Sequence, residues 1–299
     1  MCLKAWTRTD EFRSDEDQIW SLPQAEGEDY GIQPSRDVLL ETHFVAPGEI
    51  PEHEHPDLCI HLQIKGSDDF EWWSNGKNAV EHTHPGSLIL IPPGIGDRLR
   101  WSGSSERTIL SIAPASLLQL ARDLGVKQTP EFGIQWLFDD LALQRVIAGM
   151  TADARNGWPL GKLYSDLVTL GLKKHLLRTQ AVDPVRLPNL SGGMSLPVLR
   201  RAMEYMNANL AEDLYLDDIA QKSGMGPSHF AHEFRNSTGH TPYQYLLERR
   251  TEKAKELLKT TRLSVQYIGA IVGFRSPVNF VRTFRQRVGA TPDAWRKNS

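Results

Sequence analysis

The sequence holds only two cysteines, Cys2 and Cys59, among 299 residues. That excludes a disulfide framework and an all-cysteine zinc site. No apolar run approaches the ~18 residues of a membrane helix. The N-terminal stretch MCLKAWTRTDEF lacks the apolar core of a signal peptide. A strong excess of one charge is also missing: 34 Lys+Arg stand against 37 Asp+Glu, a formal net charge of −3. With 40% hydrophobic and 24% charged residues, the chain can bury a core and is not disordered. A membrane protein, a secreted mini-protein and a fibrous chain are excluded, and a reducing cytoplasm is the expected location. The length suits about two domains.

The charge is unevenly placed. Residues 196–299 carry 16 Lys+Arg and 10 Asp+Glu, an excess of six positive charges, so the first 195 residues are acidic. A basic C-terminal part points toward a polyanion. Seven of the eight tryptophans lie before residue 196, which places the bulky apolar material in the other part.

Residues 1–35 are acidic, carry Gly and Pro, and read as an N-terminal arm. Residues 36–114 read as short strands, DVLLETHFV, LCIHLQI, DFEWWS, GSLILIP, RLRW and RTILSIA, separated by turn-forming stretches. That spacing predicts a sandwich or small barrel. From residue 115 the apolar period becomes helical, over 115–124, 131–155 and 159–179. Leu160, Leu163, Leu167 and Leu170 form a 3-4-3 seam that suits either packing on the barrel or a homodimer through helices in 131–179. Residues 181–197, with three prolines and a Gly-Gly pair, read as a linker. Everything beyond reads as helix.

The C-terminal part repeats itself. Ile219-Ala220, Gly224, Phe230, Phe234-Arg235, Gly239 and Thr241-Pro242 recur as Ile268-Gly269, Gly273, Phe280, Phe284-Arg285, Gly289 and Thr291-Pro292. So many fixed positions indicate two copies of one unit. Each unit has helix-turn-helix logic. A small residue sits where two helices cross and a glycine at the turn. Two phenylalanines at i, i+4 pin the second helix to the core, leaving its other side outward. Two such units are predicted over about 216–238 and 264–287. The stretch PYQYLLERRTEKAKELLK between them reads as a long helix spanning roughly 25 Å. Such a strut suits two recognition helices set about one DNA turn, roughly 34 Å, apart.

These residues resemble the AraC/XylS family of bacterial transcription regulators, over about residues 196–299. The carrying motifs are LYLDDIAQKSGM, SHFAHEFRNSTGHTPYQYL, SVQYIGAIVGF and VNFVRTFRQRVGATPDAWR. The resemblance implies an α+β chain: a cupin-like β-barrel with following helices (36–180), then an all-α DNA-binding domain (198–299). It also implies double-stranded DNA and RNA polymerase as partners, with a small-molecule effector at the barrel. Base contacts would come from Ser228, Ala231 and His232 in the first unit and from Val278, Asn279 and Arg282 in the second. Arg235 and Arg285 would meet phosphates. A bidentate Asn279–adenine or Arg282–guanine pair discriminates by about 1–3 kcal/mol. The sequence departs from the family pattern at His232, Gly226, Gly269 and Thr251, so the first recognition helix is nearly uncharged.

The N-terminal half resembles the family's sensor barrel. Gly48–His55 and Gly86–Gly94 stand as its two cupin motifs, with Asp97 at the usual histidine position. His53, His55, His61, Trp72 and Trp101 are the effector-pocket candidates. His53 and His55 alternate on one strand face, and with Asp97 they are also the candidates for a metal site. No resident cofactor and no catalytic residue are expected. A metal-dependent cupin enzyme with an appended helical domain is the alternative. Cys59 reads as a small buried residue.

Overall fold

The computed structural model describes residues 30–185 and 193–297. The expected arm before residue 30 and the centre of the expected linker, 186–192, lie outside the described residues.

Ten strands and ten helices are described. Nine strands come first: β1 (Tyr30–Ser35), β2 (Val38–Val45), β3 (Gly48–Glu54), β4 (Leu58–Lys65), β5 (Asp68–Ser74), β6 (Lys77–Thr83), β7 (Leu88–Ile91), β8 (Gly96–Trp101) and β9 (Ser105–Ile112). Then follow α1 (Pro114–Asp123), β10 (Gln135–Phe138), α2 (Leu141–Arg155) and α3 (Lys162–Thr179). The remaining helices are α4 (Leu196–Ala208), α5 (Leu216–Lys222), α6 (Pro227–Thr238), α7 (Pro242–Thr260), α8 (Val265–Ile271), α9 (Pro277–Val288) and α10 (Pro292–Lys297). The class is α+β, as the sequence predicts.

The strands make two antiparallel sheets, ordered β1-β2-β9-β4-β7-β10 and β3-β8-β5-β6. Alternation along β2 and β8 turns Val38, Leu40, Leu99 and Trp101 inward. β4 and β7 lie inside the sheet and are buried on both faces along most of their length, β7 as the apolar run LILI and β4 with His61 and Gln63 among its buried residues. The core draws on both sheets, with Val45, Ile50, Phe70, Ile89, Ile91, Leu99 and Trp101 in one cluster. A buried ion pair, Arg107–Asp68 at 3.2 Å, crosses it, with the Arg107 guanidinium over the Trp101 ring at 4.9 Å. Both charges keep partners there, which a buried pair needs.

Three expectations differ. β3 lies within 46–57, a stretch that reads as turn-forming, because it pairs with β8. The last residues of the supposed arm are an edge strand, since β1 pairs antiparallel with β2. The helix expected over 131–155 begins only at Leu141, because Gln135–Phe138 pairs with β7 and packs Trp136 against the barrel core. A four-residue apolar run fits a sheet edge as well as a helix, and tertiary pairing decides.

The chain divides into two compact units, and the division is not at the expected linker. The first comprises residues up to 114 with 133–151; the second comprises 115–132 with 152–299. The first unit is thus the barrel with most of α2, whose Thr151 Oγ1 donates to Thr108 Oγ1 at 3.2 Å. In the second unit, α3 packs on α5 and α7. Asp166 of α3 accepts the Leu216 amide at 2.8 Å, a side-chain cap supplied to α5 from another helix. Leu163 and Leu170 of the expected seam are buried while Leu160 and Leu167 are half-buried, and the packing on α5 and α7 is a use that the sequence did not point to.

Candidate nucleic-acid interface

The duplicated unit is built as its residues dictate. Phe230, Phe234, Phe280 and Phe284 are fully buried and fix α6 and α9 on their cores. Gly269 is needed at the α8–α9 crossing, where an added Cβ would meet the Phe280 ring at 2.8 Å. Gly273 turns with φ +94°, and a Cβ there would strike the Leu210 carbonyl at 2.3 Å. Ser276 caps α9 by accepting from the Asn279 amide, with Pro277 as the first helical residue. Gly226 offers α6 no side-chain cap.

α7 joins the units. Its 19 residues span roughly 28 Å. A capping box, Thr241 with Gln244, starts it. Arg250, at its middle, is buried and donates to the Leu210 and Glu212 carbonyls, both at 2.8 Å. Its guanidinium also lies over the Phe274 ring of the second unit, at 6.0 Å. Burial lowers its pKa to about 10, so it stays charged while tying the loop before α5 to the turn before α9.

The outward residues separate into two groups. Val278 is 75% exposed, and Arg282, Arg285 and Arg287 are exposed along the same helix. On α6, Arg235 is exposed, while Ala231 and His232 are half-buried. Asn236 donates its amide to His232 Nε2 at 2.9 Å.

Two expectations about orientation are corrected. Ser228 does not face outward: it is 1% exposed, and an added Cβ on nearby Gly226 would meet the Asp123 carboxylate at 2.6 Å. The end of α1 therefore lies over the start of α6. Asn279 is 6% exposed, and its Oδ1 accepts from Arg282 at 2.7 Å. Pro159, Leu160 and Gly161 line a small cavity there together with Tyr243, Asn279 and Thr283. Asn279 thus steadies the Arg282 side chain. Asp153 lies close enough to Arg282 for that charge to hold its carboxyl pKa down, against a larger upward push from burial.

In the barrel, His53, His55 and Asp97 come together, their ligand atoms all within 4.8 Å of one another. His53 and Asp97 are register partners across β3 and β8. The His61 ring lies 6.3 Å from that of His55, outside that cluster. Burial and the neighbouring His53 hold the His55 pKa down to about 4, and burial chiefly holds His61 well below the usual range. Burial raises Asp97 to about 6, partly countered by His53. Trp72 stacks on Trp136, centroids 4.6 Å apart, while Trp101 is packed in the core beside Phe70. The sequence reading missed Trp136, whose only signal was the apolar run it sits in. Cys59 is buried as expected, and burial pushes its thiol up to about 12.

A barrel with an appended pair of helix-turn-helix units defines a two-part protein that joins a ligand-binding fold to a DNA-binding one. Residues 42–161 match the family described as AraC-like ligand binding domain, and residues 219–298 match that described as Helix-turn-helix domain. The arabinose operon regulatory protein of Salmonella typhimurium is 29% identical over 249 residues, 79% of this chain and 82% of that one. Its counterpart from Escherichia coli is 30% identical over 136 residues, spanning 44% of this chain and 45% of that one, less than half the relative's length. A solved AraC-type regulator from Chromobacterium violaceum is 36% identical, covering 34% of this chain and 90% of that one, with a TM-score of 0.33. The chain belongs to the AraC family of transcription regulators.

Proposed function

We propose that this chain binds specific double-stranded DNA sites through α6 and α9, and that its barrel answers to a small molecule. The observation that carries the reading is the duplicated unit on one buried-arginine strut, with Val278, Arg282, Arg285 and Arg287 exposed on the second recognition helix. Base reading falls to Val278 and Arg282, with Asn279 holding the arginine, and to Ala231 and His232 in the first unit. Arg235 and Arg285 meet phosphates. RNA polymerase in the cytoplasm is the partner such a regulator acts on. Among the described residues no helix is long and apolar enough to cross a membrane.

Asp123 over the start of α6 and residues 159–161 beside Asn279 cover what a duplex would reach. Ser228 joins the interface only when these segments withdraw. An effector that favours the withdrawn arrangement shifts the population toward DNA binding.

Footprinting on DNA flanking the gene tests the reading. Protection over two successive major-groove turns, with affinity falling steeply as salt rises, is the expected result. Binding that ignores both sequence and salt contradicts it.

A further inference from the structure

We propose that His53, His55 and Asp97 hold one divalent first-row transition-metal ion between β3 and β8 of the barrel. The proposal stands on the barrel alone, and neither DNA binding nor effector recognition enters it.

The donors are the first observation. His53 and His55 are two residues apart on β3, hence on one face, and Asp97 is the register partner of His53 on β8. One ligand atom from each lies within 4.8 Å of the others. His55 Nε2 and Asp97 Oδ1 are 3.5 Å apart, and no hydrogen bond joins them. Metal–N and metal–O bonds near 2.1 Å place tetrahedral ligand atoms roughly 3.4 Å apart. The gap is long for a hydrogen bond and right for a shared ion.

Unmet polar demand is the second. The Asp97 side chain is 0% exposed. Both of its carboxylate oxygens and His55 Nε2 are buried without a hydrogen-bond partner among the described residues. A buried carboxylate with no donor among the described residues is costly, and a cation beside it offsets that cost. The nearby arginines are engaged elsewhere: Arg98 with Glu49, Arg100 with Glu71, Arg107 with Asp68. A cation held by Asp97 and the two imidazoles removes the deficit.

The third observation is the support behind the donors. His53 Nδ1 lies 3.0 Å from the Pro51 carbonyl, the outer contact that fixes the ring and leaves Nε2 to ligate. Two imidazoles and a carboxylate select a transition ion over Mg²⁺ or Ca²⁺, which prefer oxygen sets. Three protein ligands leave positions open. The buried Nε2 of His61, also without a hydrogen-bond partner among the described residues, suits a hydrogen bond to whatever oxygen fills one of them.

The test uses untagged full-length protein, stripped with a chelator, desalted, and titrated with Co²⁺ by visible absorption. One equivalent binding with ligand-field bands, displaced by Zn²⁺ and not by Mg²⁺, is expected. Asp97→Asn, nearly isosteric, and His55→Gln should each weaken binding at least tenfold, the loss that removing even a supporting group produces. They should also abolish the rise in Tm that Zn²⁺ gives the unaltered chain. His82→Gln, exposed and bonded to Ser67 and Asp69, should change nothing. The proposal is overturned if the unaltered protein takes up less than one equivalent, shows no ligand-field bands, or keeps its affinity in Asp97→Asn.

Discussion

The two helix-turn-helix units share their scaffold and differ in what they turn outward. Both bury a phenylalanine pair and both close the recognition helix on a left-handed glycine, Gly239 or Gly289. Yet α6 starts without a side-chain cap, lies under Asp123 and exposes one arginine, while α9 is capped by Ser276 and exposes three. Packing constrains the inner positions in the same way twice. The outer positions are free to diverge, and they have put most of the cationic surface on the second unit.

That asymmetry can be broken or sharpened by substitution. The largest effect is expected at the shared strut: Arg250→Met leaves two carbonyls without their charged donor and should cost about 3 kcal/mol, read by urea unfolding. If both units depend on it, one cooperative transition shifts as a whole; a second transition appearing would show that the units are held separately. Next comes the crossing. Gly269→Ala forces a Cβ against Phe280 and should destabilise by about 1–3 kcal/mol, whereas Ala220→Gly in the first unit should cost only about 1 kcal/mol. Equal losses would mean that the two crossings are equally tight.

The interface gives smaller, diagnostic changes. Arg282→Ala should lose about 1–3 kcal/mol of discrimination at one base position, and His232→Ala should lose well under that, measured by competition between single-base variants of a bound duplex. A uniform loss across all variants for Arg282→Ala would move it to the phosphate class. Smallest in specificity terms are Arg285→Ala and Arg235→Ala. Each should weaken all sites alike and reduce the salt slope by about one.

The scaffold was legible in the sequence because its signal is repeated: matched glycines, phenylalanines and Thr-Pro pairs mark each helix end twice. β2, β4, β5, β7, β8 and β9 were legible as apolar or alternating runs between turn residues. β3, in a stretch that reads as turn-forming, and β6 were not, nor were β1 and β10, since strand pairing decides them and pairing is not local. Burial of Ser228 and Asn279 was hidden for the same reason. Asp123 and Leu160 lie far away in sequence, and only folding brings them to the recognition helices. In the barrel, the alternation of His53 and His55 was readable, but their closeness to Asp97 depends on the β3–β8 register. Trp72 and Trp101 read equally as pocket or core, and their partners Trp136 and Phe70 place them in packing contacts.

Selection of bound duplexes from a randomised pool, run in parallel with the unaltered chain and with Arg282→Ala, tests the central claim most directly. Two enriched segments centred about one helical turn apart are predicted, with Arg282→Ala erasing preference within one segment and leaving the other intact. A single enriched segment, or an identical motif from both proteins, would contradict the account.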